Sequence, residues 1–206
     1  MNSEILISFV LATAVLAISP GPDNIFVLMQ SMTHGRKYGF ATIMGLMTGC
    51  LVHTTLLAFG VSAIIRANES LFLGIKLFGA GYLIYLAYSV FKDDAPIPLE
   101  EFHIPQKEQA DLFKQGFIMN VLNPKVTIFF LAFFPGFLFS DTLANEIQFY
   151  ILGFLFILVS LIVFGGIALL AGSISIFLKR NHKTAFILKG GQIIVFLGIA
   201  VFLFFG

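Results

Sequence analysis

The chain has 206 residues, 58% of them hydrophobic, 15% aromatic and only 11% charged, with a formal net charge of +1. A soluble domain carries about 25% charged residues, so these charges cannot cover a water-facing surface, and the mean hydropathy of +0.97 points to an integral membrane protein of one domain. The near-neutral charge gives no reason to expect nucleic acid as a partner, and the single cysteine, Cys50, excludes an intrachain disulfide, a Cys-X-X-Cys redox pair and a thiolate-rich metal site.

In chain order, Met1-Asn2-Ser3-Glu4 lacks a basic flank and a small-residue cleavage site, so the N-terminus reads as an uncleaved first span. Apolar stretches then fall near residues 5–30, 38–65, 70–91, 116–139, 147–178 and 184–206. A helical crossing takes about 20 apolar residues. The runs are continuous, unlike the alternating segments of about ten residues in a membrane barrel. The expected fold is an all-α integral membrane protein with six transmembrane helices. Residues 93–115, with Pro96, Pro98, Pro105, Glu100, Glu101, Glu108 and Asp111, read as a solvated cytoplasmic linker between two triplets of spans, residues 1–92 and 116–206. Span five, polar in its middle only at Ser160, reads as lipid-facing or scaffold.

The basic residues set an orientation. Arg36, Lys37, Lys92, Lys107, Lys114, Lys179, Arg180, Lys183 and Lys189 fall in the loops of one side, against Arg66 on the other. Basic loops stay in the cytoplasm, so both termini are expected to face outward. The triplets also match weakly. Gly79 and Leu86-Ala87 correspond to Gly190 and Leu197-Gly198 at a constant offset of 111, and Pro20 has a counterpart in Pro124. With an odd number of spans in each triplet such a repeat is inverted, and inverted repeats with interrupted helices point to a transporter and its site.

The densest interruption is Ser19-Pro20-Gly21-Pro22-Asp23-Asn24. Pro20 and Pro22 have no N–H, so the carbonyls of Leu16 and Ile18 lose their helical partners, and Gly21 is expected to let the backbone turn freely. At Asn123-Pro124-Lys125, Pro124 likewise frees the carbonyl of Asn120. Freed carbonyls must face protein, water or ligand. Asp23 and Lys125 are the acid and base far from any span end. Each costs about 2.5–3.5 kcal/mol at mid-bilayer even on the lenient insertion scale, and they are expected to meet across the pseudo-two-fold axis.

Ser19-Pro20-Gly21-Pro22-Asp23, the segment from Gly79 to Tyr82-Leu83-Ile84-Tyr85-Leu86, and Asn123-Pro124-Lys125 followed by Phe129-Phe130-Leu131-Ala132-Phe133-Phe134-Pro135 together resemble the LysE/RhtB family of bacterial amino-acid exporters. The resemblance covers the whole chain in length, span count, linker position and motif order. It implies multi-pass residence in the bacterial inner membrane and efflux of amino acids or close derivatives by proton antiport. The family's conserved acid and its Asn-Pro-Lys segment would fall on Asp23, Asn123, Pro124 and Lys125. The chemistry suits a zwitterion: carbonyls near Leu16 and Ile18 with Asp23 for an ammonium, and the N–H groups opening the half-helix after Pro22 with Lys125 for a carboxylate.

Lower-ranking candidates are His53, as a proton relay or as a neutral histidine bonded between helices, and Tyr82 and Tyr85, as cavity lining or packing. Gly45 and Gly49 form a small-xxx-small face explained by close helix packing. The expected partners are a small amino acid, protons and the bilayer, with a homo-oligomer left open and no cofactor implied. A metal or inorganic-ion exporter would want more carboxylate, thiol or histidine ligands in the spans. An intramembrane enzyme would want a nucleophile with a base, and a non-transporting subunit would have no use for a buried acid and base.

Overall fold

The computed structural model describes residues 3–19, 21–92, 106–180 and 182–205. Pro20 and most of the proline-rich linker, including Pro96, Pro98 and Pro105, lie outside the described residues. The helices are α1 (Ser3–Ile18), α2 (Pro22–Thr33), α3 (Arg36–Leu56), α4 (Ser62–Ala67), α5 (Glu69–Lys92), α6 (Gln109–Val121), α7 (Pro124–Ile128), α8 (Asn145–Leu169), α9 (Ala171–Arg180) and α10 (His182–Phe205). A π-helical turn at Leu57–Val61 joins α3 to α4. A second, at Phe129–Phe133, follows α7 and runs into a 3-10 turn at Phe134–Phe137.

Three stretches are long and apolar enough to cross a membrane unbroken: Arg36–Ile65, Ser70–Lys92 and Asn145–Leu169. Two more would cross as bent pairs. The α1–α2 pair turns by 61° at its break, and the pair formed by α6 and Pro124–Phe137 turns by 50°. The last helix carries a shorter apolar stretch, Lys189–Phe204. Each half of the chain therefore opens with a bent pair.

Proline sets both bends. Pro22 and Pro124 each occupy the first position of the second helix in their pair, where a missing N–H costs nothing and the fixed φ suits the helix. Pro22, rather than Pro20, is thus the positional counterpart of Pro124, and each is followed directly by the charged residue of its break. Gly79 and Gly190 do not share a packing role. A Cβ on Gly79 would stand 2.2 Å from that of Ala132, whereas nothing lies within 4 Å of one on Gly190.

The fifth apolar run is two helices rather than one. It breaks at Leu170, between Gly165-Gly166 and Gly172-Ser173, residues that favour helix poorly. The linker is also shorter than its composition implies, because α6 already begins at Gln109. The side chain of Gln106 donates to the Tyr38 hydroxyl, which sets the start of α3, with Arg36 and Lys37, beside the segment that carries Lys107.

The contact that positions the rest is α3 on α6. A Cβ on Gly45 would stand 2.0 Å from the Phe113 carbonyl oxygen, and one on Gly116 would stand 2.3 Å from that of Thr42. The two backbones therefore touch at points where no side chain fits. Beyond the second break the chain buries a block of phenylalanines. Phe130 stacks on Phe134 at 4.2 Å between centroids, and Phe9 of α1 meets Phe134 edge-on at 5.0 Å. Buried Gln148 of α8 closes the loop after that block. Its Oε1 accepts from the N–H groups of Phe139 (2.7 Å) and Ser140 (3.0 Å), and its Nε2 donates to the carbonyls of Ser140 (2.8 Å) and Leu143 (2.9 Å).

Because the atom facing Gly45 is backbone, Gly45→Ala must push α3 and α6 apart, an overpacking cost of about 1–3 kcal/mol. Gly81→Ala, with open space around it, should be neutral or slightly stabilising. Cys50 is buried, so labelling by a thiol-reactive dye on heating reports unfolding in detergent. The Gly45→Ala transition should fall by several degrees and the Gly81→Ala transition should not.

Candidate functional site

Asp23 stands in the first turn of α2 and is 9% exposed. Its Oδ2 accepts a hydrogen bond from Asn123 Nδ2 at 3.0 Å, while no donor among the described residues reaches its Oδ1. Asn123 is also the N-cap of α7, its Oδ1 accepting from the Lys125 N–H at 3.0 Å. One amide therefore spans the two interruptions, satisfying an orphan N–H of one half-helix with its oxygen and the acid of the other with its nitrogen. The expected meeting of Asp23 with Lys125 takes this form: Asn123 is the bonded partner of the carboxylate, and Lys125 joins it as a wall of the same cavity.

The Lys125 ammonium lies 5.0 Å from the centroid of Phe196 on α10, a cation–π distance. It is also 3.7 Å from where a Cβ on Gly21 would be. Gly21 itself has φ −159° and ψ 175°, an extended backbone that any residue adopts. The expectation that it frees the turn is corrected: the backbone here needs no glycine, and a Cβ would come only into ordinary contact with the ammonium. The served carbonyl of the first break also differs from expectation. Asn24 Nδ2 donates to the Ala17 carbonyl at 2.7 Å, replacing the N–H of Gly21, which α1 no longer extends far enough to use. Ser19 is buried with no partner for its hydroxyl among the described residues, and it lies outside the cavity wall.

The cavity has a volume of about 50 Å³, room for a few waters at about 10–15 Å³ each on this measure. Gly21, Pro22, Asp23, Asn24, Asn123 and Lys125 form one part of its wall, and Leu46, Met47, Val126, Phe156 and Phe164 an apolar part. Two further polar residues line it, Asn120 and Ser160, whose side chains were not among the site candidates read from sequence. Asn120 lies three residues before Asn123, in the last turn of α6 ahead of the break. Its Nδ2 donates to Cys50 Sγ at 3.5 Å, and its amide presses on Gly49, whose absent Cβ would stand 2.6 Å from the Asn120 oxygen. Ser160 belongs to α8, which is more than lipid-facing scaffold: Phe156, Ser160 and Phe164 on one face of it line the cavity.

His53 is buried, and its Nε2 donates to the Asn120 carbonyl at 3.2 Å, with its ring 5.3 Å from that of Phe130. That carbonyl is the one freed by Pro124, now also served by the Asn123 N–H at 3.1 Å. A carbonyl partner places the proton on Nε2. Of the two roles read from sequence, the geometry is that of a histidine bonded between helices, and His53 does not line the cavity. Tyr82 and Tyr85 do not line it either. On α5, Ala80, Leu83 and Ala87 turn inward, which carries Tyr85 to the outer face at 60% exposed; the two tyrosine rings pack on each other at 5.9 Å. Among the described residues no three His, Cys, Asp or Glu side chains converge.

The two bonds of Asn123 are separable. Asn123→Ser keeps an N-cap oxygen and gives up the reach to Asp23, whereas Asn123→Ala loses both, at about 1–3 kcal/mol. Dye-labelling midpoints should rank unaltered protein above Asn123→Ser and Asn123→Ser above Asn123→Ala. Equal midpoints for all three would refute the bridging role.

Residues 14–206 match the family described as LysE type translocators. The chain is 32% identical over 179 residues to the homoserine/homoserine lactone efflux protein of Salmonella typhi, covering 87% of this chain and 86% of that one. It is 31% identical over the same length and shares to the protein of that description from Salmonella typhimurium. To an uncharacterized membrane protein of Vibrio cholerae it is 26% identical over 182 residues, 88% of each. No solved structure matches the chain. A match that runs through both proline breaks and the helices walling the cavity between them makes this chain a multi-pass membrane protein of the LysE type translocator family.

Proposed function

We propose that the protein is a secondary exporter that carries amino acids or close derivatives out of the cytoplasm across the bacterial inner membrane, coupled to proton entry. The observation that carries this reading is that two helix interruptions deliver an acid and a base, Asp23 and Lys125, to one cavity. Charges inside spans are costly and mark transport pathways. A structural ion pair would have no need of broken helices around it. Ser19, Pro20, Gly21, Pro22, Asp23, Asn24, Asn123, Pro124 and Lys125 make up the proposed transport segment, with the two halves related as inverted repeats and both termini outside.

The opening turns of α2 and α7 present the positive ends of two helix dipoles, which with Lys125 suit a carboxylate, while the unbonded oxygen of Asp23 suits an ammonium. The efflux relatives are described by two compounds, homoserine and homoserine lactone. Those share an amino group, but the lactone has no free carboxylate, so a ligand of this chain needs its ammonium held more than its acid. Protonation of Asp23 from outside would release that ammonium and give proton exchange a route. At about 50 Å³ the cavity is too small for an amino acid as it stands, so binding has to spread its walls.

The deciding experiment loads reconstituted vesicles with a panel of labelled amino acids, homoserine among them, and follows efflux with and without a pH gradient. Efflux accelerated by an inward proton gradient is expected. Asp23→Asn should remove that acceleration, and Lys125→Ala should slow carboxylate-bearing substrates about 10–100-fold, the cost of one charged hydrogen bond. Gly21→Ala should fold normally and keep exporting, because its Cβ comes only into ordinary contact with the Lys125 ammonium. Export by Asp23→Asn at an undiminished rate with its pH response intact would exclude the carboxylate as the coupling group.

A further inference from the structure

The cavity lies between two apolar layers. On one side Cys50 and Phe156 join it to the phenylalanine block. On the other, toward the loop that carries Arg36 and Lys37, it ends on Leu46, Met47 and Phe164, and one helical turn further the layer is completed by Val27 of α2, Ile43 of α3 and Ala168 of α8. Beyond that layer the wall turns polar again. At about 100° per residue, Asp23, Val27, Gln30 and the C-cap residue His34 fall within an arc of about 60° on α2. Gln30 is 1% exposed, and neither its amide oxygen nor its nitrogen has a partner among the described residues, where no other side chain leaves two enclosed polar atoms unpaired. The Nε2 of His34 is likewise enclosed and unpaired, with its ring 5.7 Å from that of Tyr38, whose hydroxyl takes the Gln106 amide.

We infer that this layer is the gate between the cavity and the Arg36–Lys37 side, and that Gln30 and His34 line the passage when it opens. The inference rests on the exporter reading above, on which that side is the cytoplasm and the passage admits the substrate. A glutamine enclosed with both ends unpaired is unfavourable, and a leucine in its place would seal the layer without that penalty. The amide is relieved only when α2 parts from α3 and α8 and water reaches its two atoms. Gln30 therefore raises the shut arrangement in free energy and leaves the open one unburdened, which brings the two within the range that a ligand's differential affinity can shift. The layer is also thin, one turn deep on each of three helices. Ser31 gives its hydroxyl to the Val27 carbonyl of its own helix at 2.7 Å, instead of tying α2 to a neighbour. On the opposite side of the cavity, by contrast, four bonds from Gln148 hold the loop beyond the phenylalanines to α8.

The test uses Cys50, the one cysteine of the chain, which lines the cavity. A small, charged, membrane-impermeant methanethiosulfonate is applied to vesicles from the face on which trypsin cuts at Arg36 and Lys37, well below the thermal transition, and the rate of Cys50 modification is followed by mass. That rate scales with the fraction of time the gate stands open. Gln30→Leu should slow it about tenfold, the equilibrium effect of relieving one orphaned amide, and should raise the thermal midpoint by about 2–4 °C. Val27→Ala, which thins the layer, should speed it several-fold. Modification from the opposite face should not fall in either variant. The assignment is overturned if Cys50 is modified from the Arg36–Lys37 face in neither the unaltered protein nor Val27→Ala, if Gln30→Leu lowers the midpoint or leaves the rate unchanged, or if it slows modification equally from both faces. The readout needs no substrate. Its failure therefore leaves the exporter reading standing, whereas absence of efflux for every amino acid tried removes that reading without altering the labelling rates.

Discussion

Everything around the cavity depends on one planar amide. Asn123 gives its oxygen to the first turn of α7 and its nitrogen to the carboxylate of Asp23. In a bilayer neither group has water to fall back on. The two interruptions, 100 residues apart in sequence, are thereby made one object. What holds the amide in place is in turn the backbone contact of α3 with α6. Gly45 and Gly116 let the two helices touch, which brings His53 within reach of the carbonyl that Pro124 deprives of its usual partner. Gly49 and Cys50 then pocket the side chain of Asn120 one turn before the break.

The surroundings of this object divide into firm and adaptable parts. On the firm side are the edge-on packing of Phe9 on Phe134 and the four hydrogen bonds of Gln148, which tie the loop beyond them to α8. Facing them are two π-helical turns, Leu57–Val61 and Phe129–Phe133, which lie close together. A π turn carries an extra residue in the helical ladder, weakens it locally and recurs at functional sites. Both flank the level at which His53 meets the second break.

Composition and hydropathy made the membrane class legible, and proline chemistry located both interruptions, because a missing N–H is a local property. The charges of Asp23 and Lys125 stood out for the same reason. The rest depends on distance in space. Matching the two triplets could not tell Pro20 from Pro22 as the counterpart of Pro124, since that turns on which proline opens the second helix. Gly21 was expected to matter for its dihedrals, yet its backbone is extended, and its Cα stands beside the Lys125 ammonium. Asp23 and Lys125 do reach one cavity, but the hydrogen bond to the acid comes from an asparagine, whose two-sided bonding no spacing rule reveals. The contribution of α8 was missed because its cavity face, two phenylalanines and one serine, has the composition of a lipid-facing helix. The break at Leu170 was masked by the unbroken hydropathy of residues 147–178.

One feature of the cavity bears on the membrane potential. The wall holds one acid and one base, and their charges sum to zero whether the proton sits on the lysine or passes to the aspartate. A zwitterionic occupant leaves that sum unchanged. The region can then shift through the membrane's electric field without electrical work, where one uncompensated charge crossing the whole field would be worth about 2.3 kcal/mol per 100 mV. On the exporter reading proposed above, the pairing of Asp23 with Lys125 would separate the movement of a neutral cargo from the voltage across the bilayer, and would leave an added proton as the species that feels it.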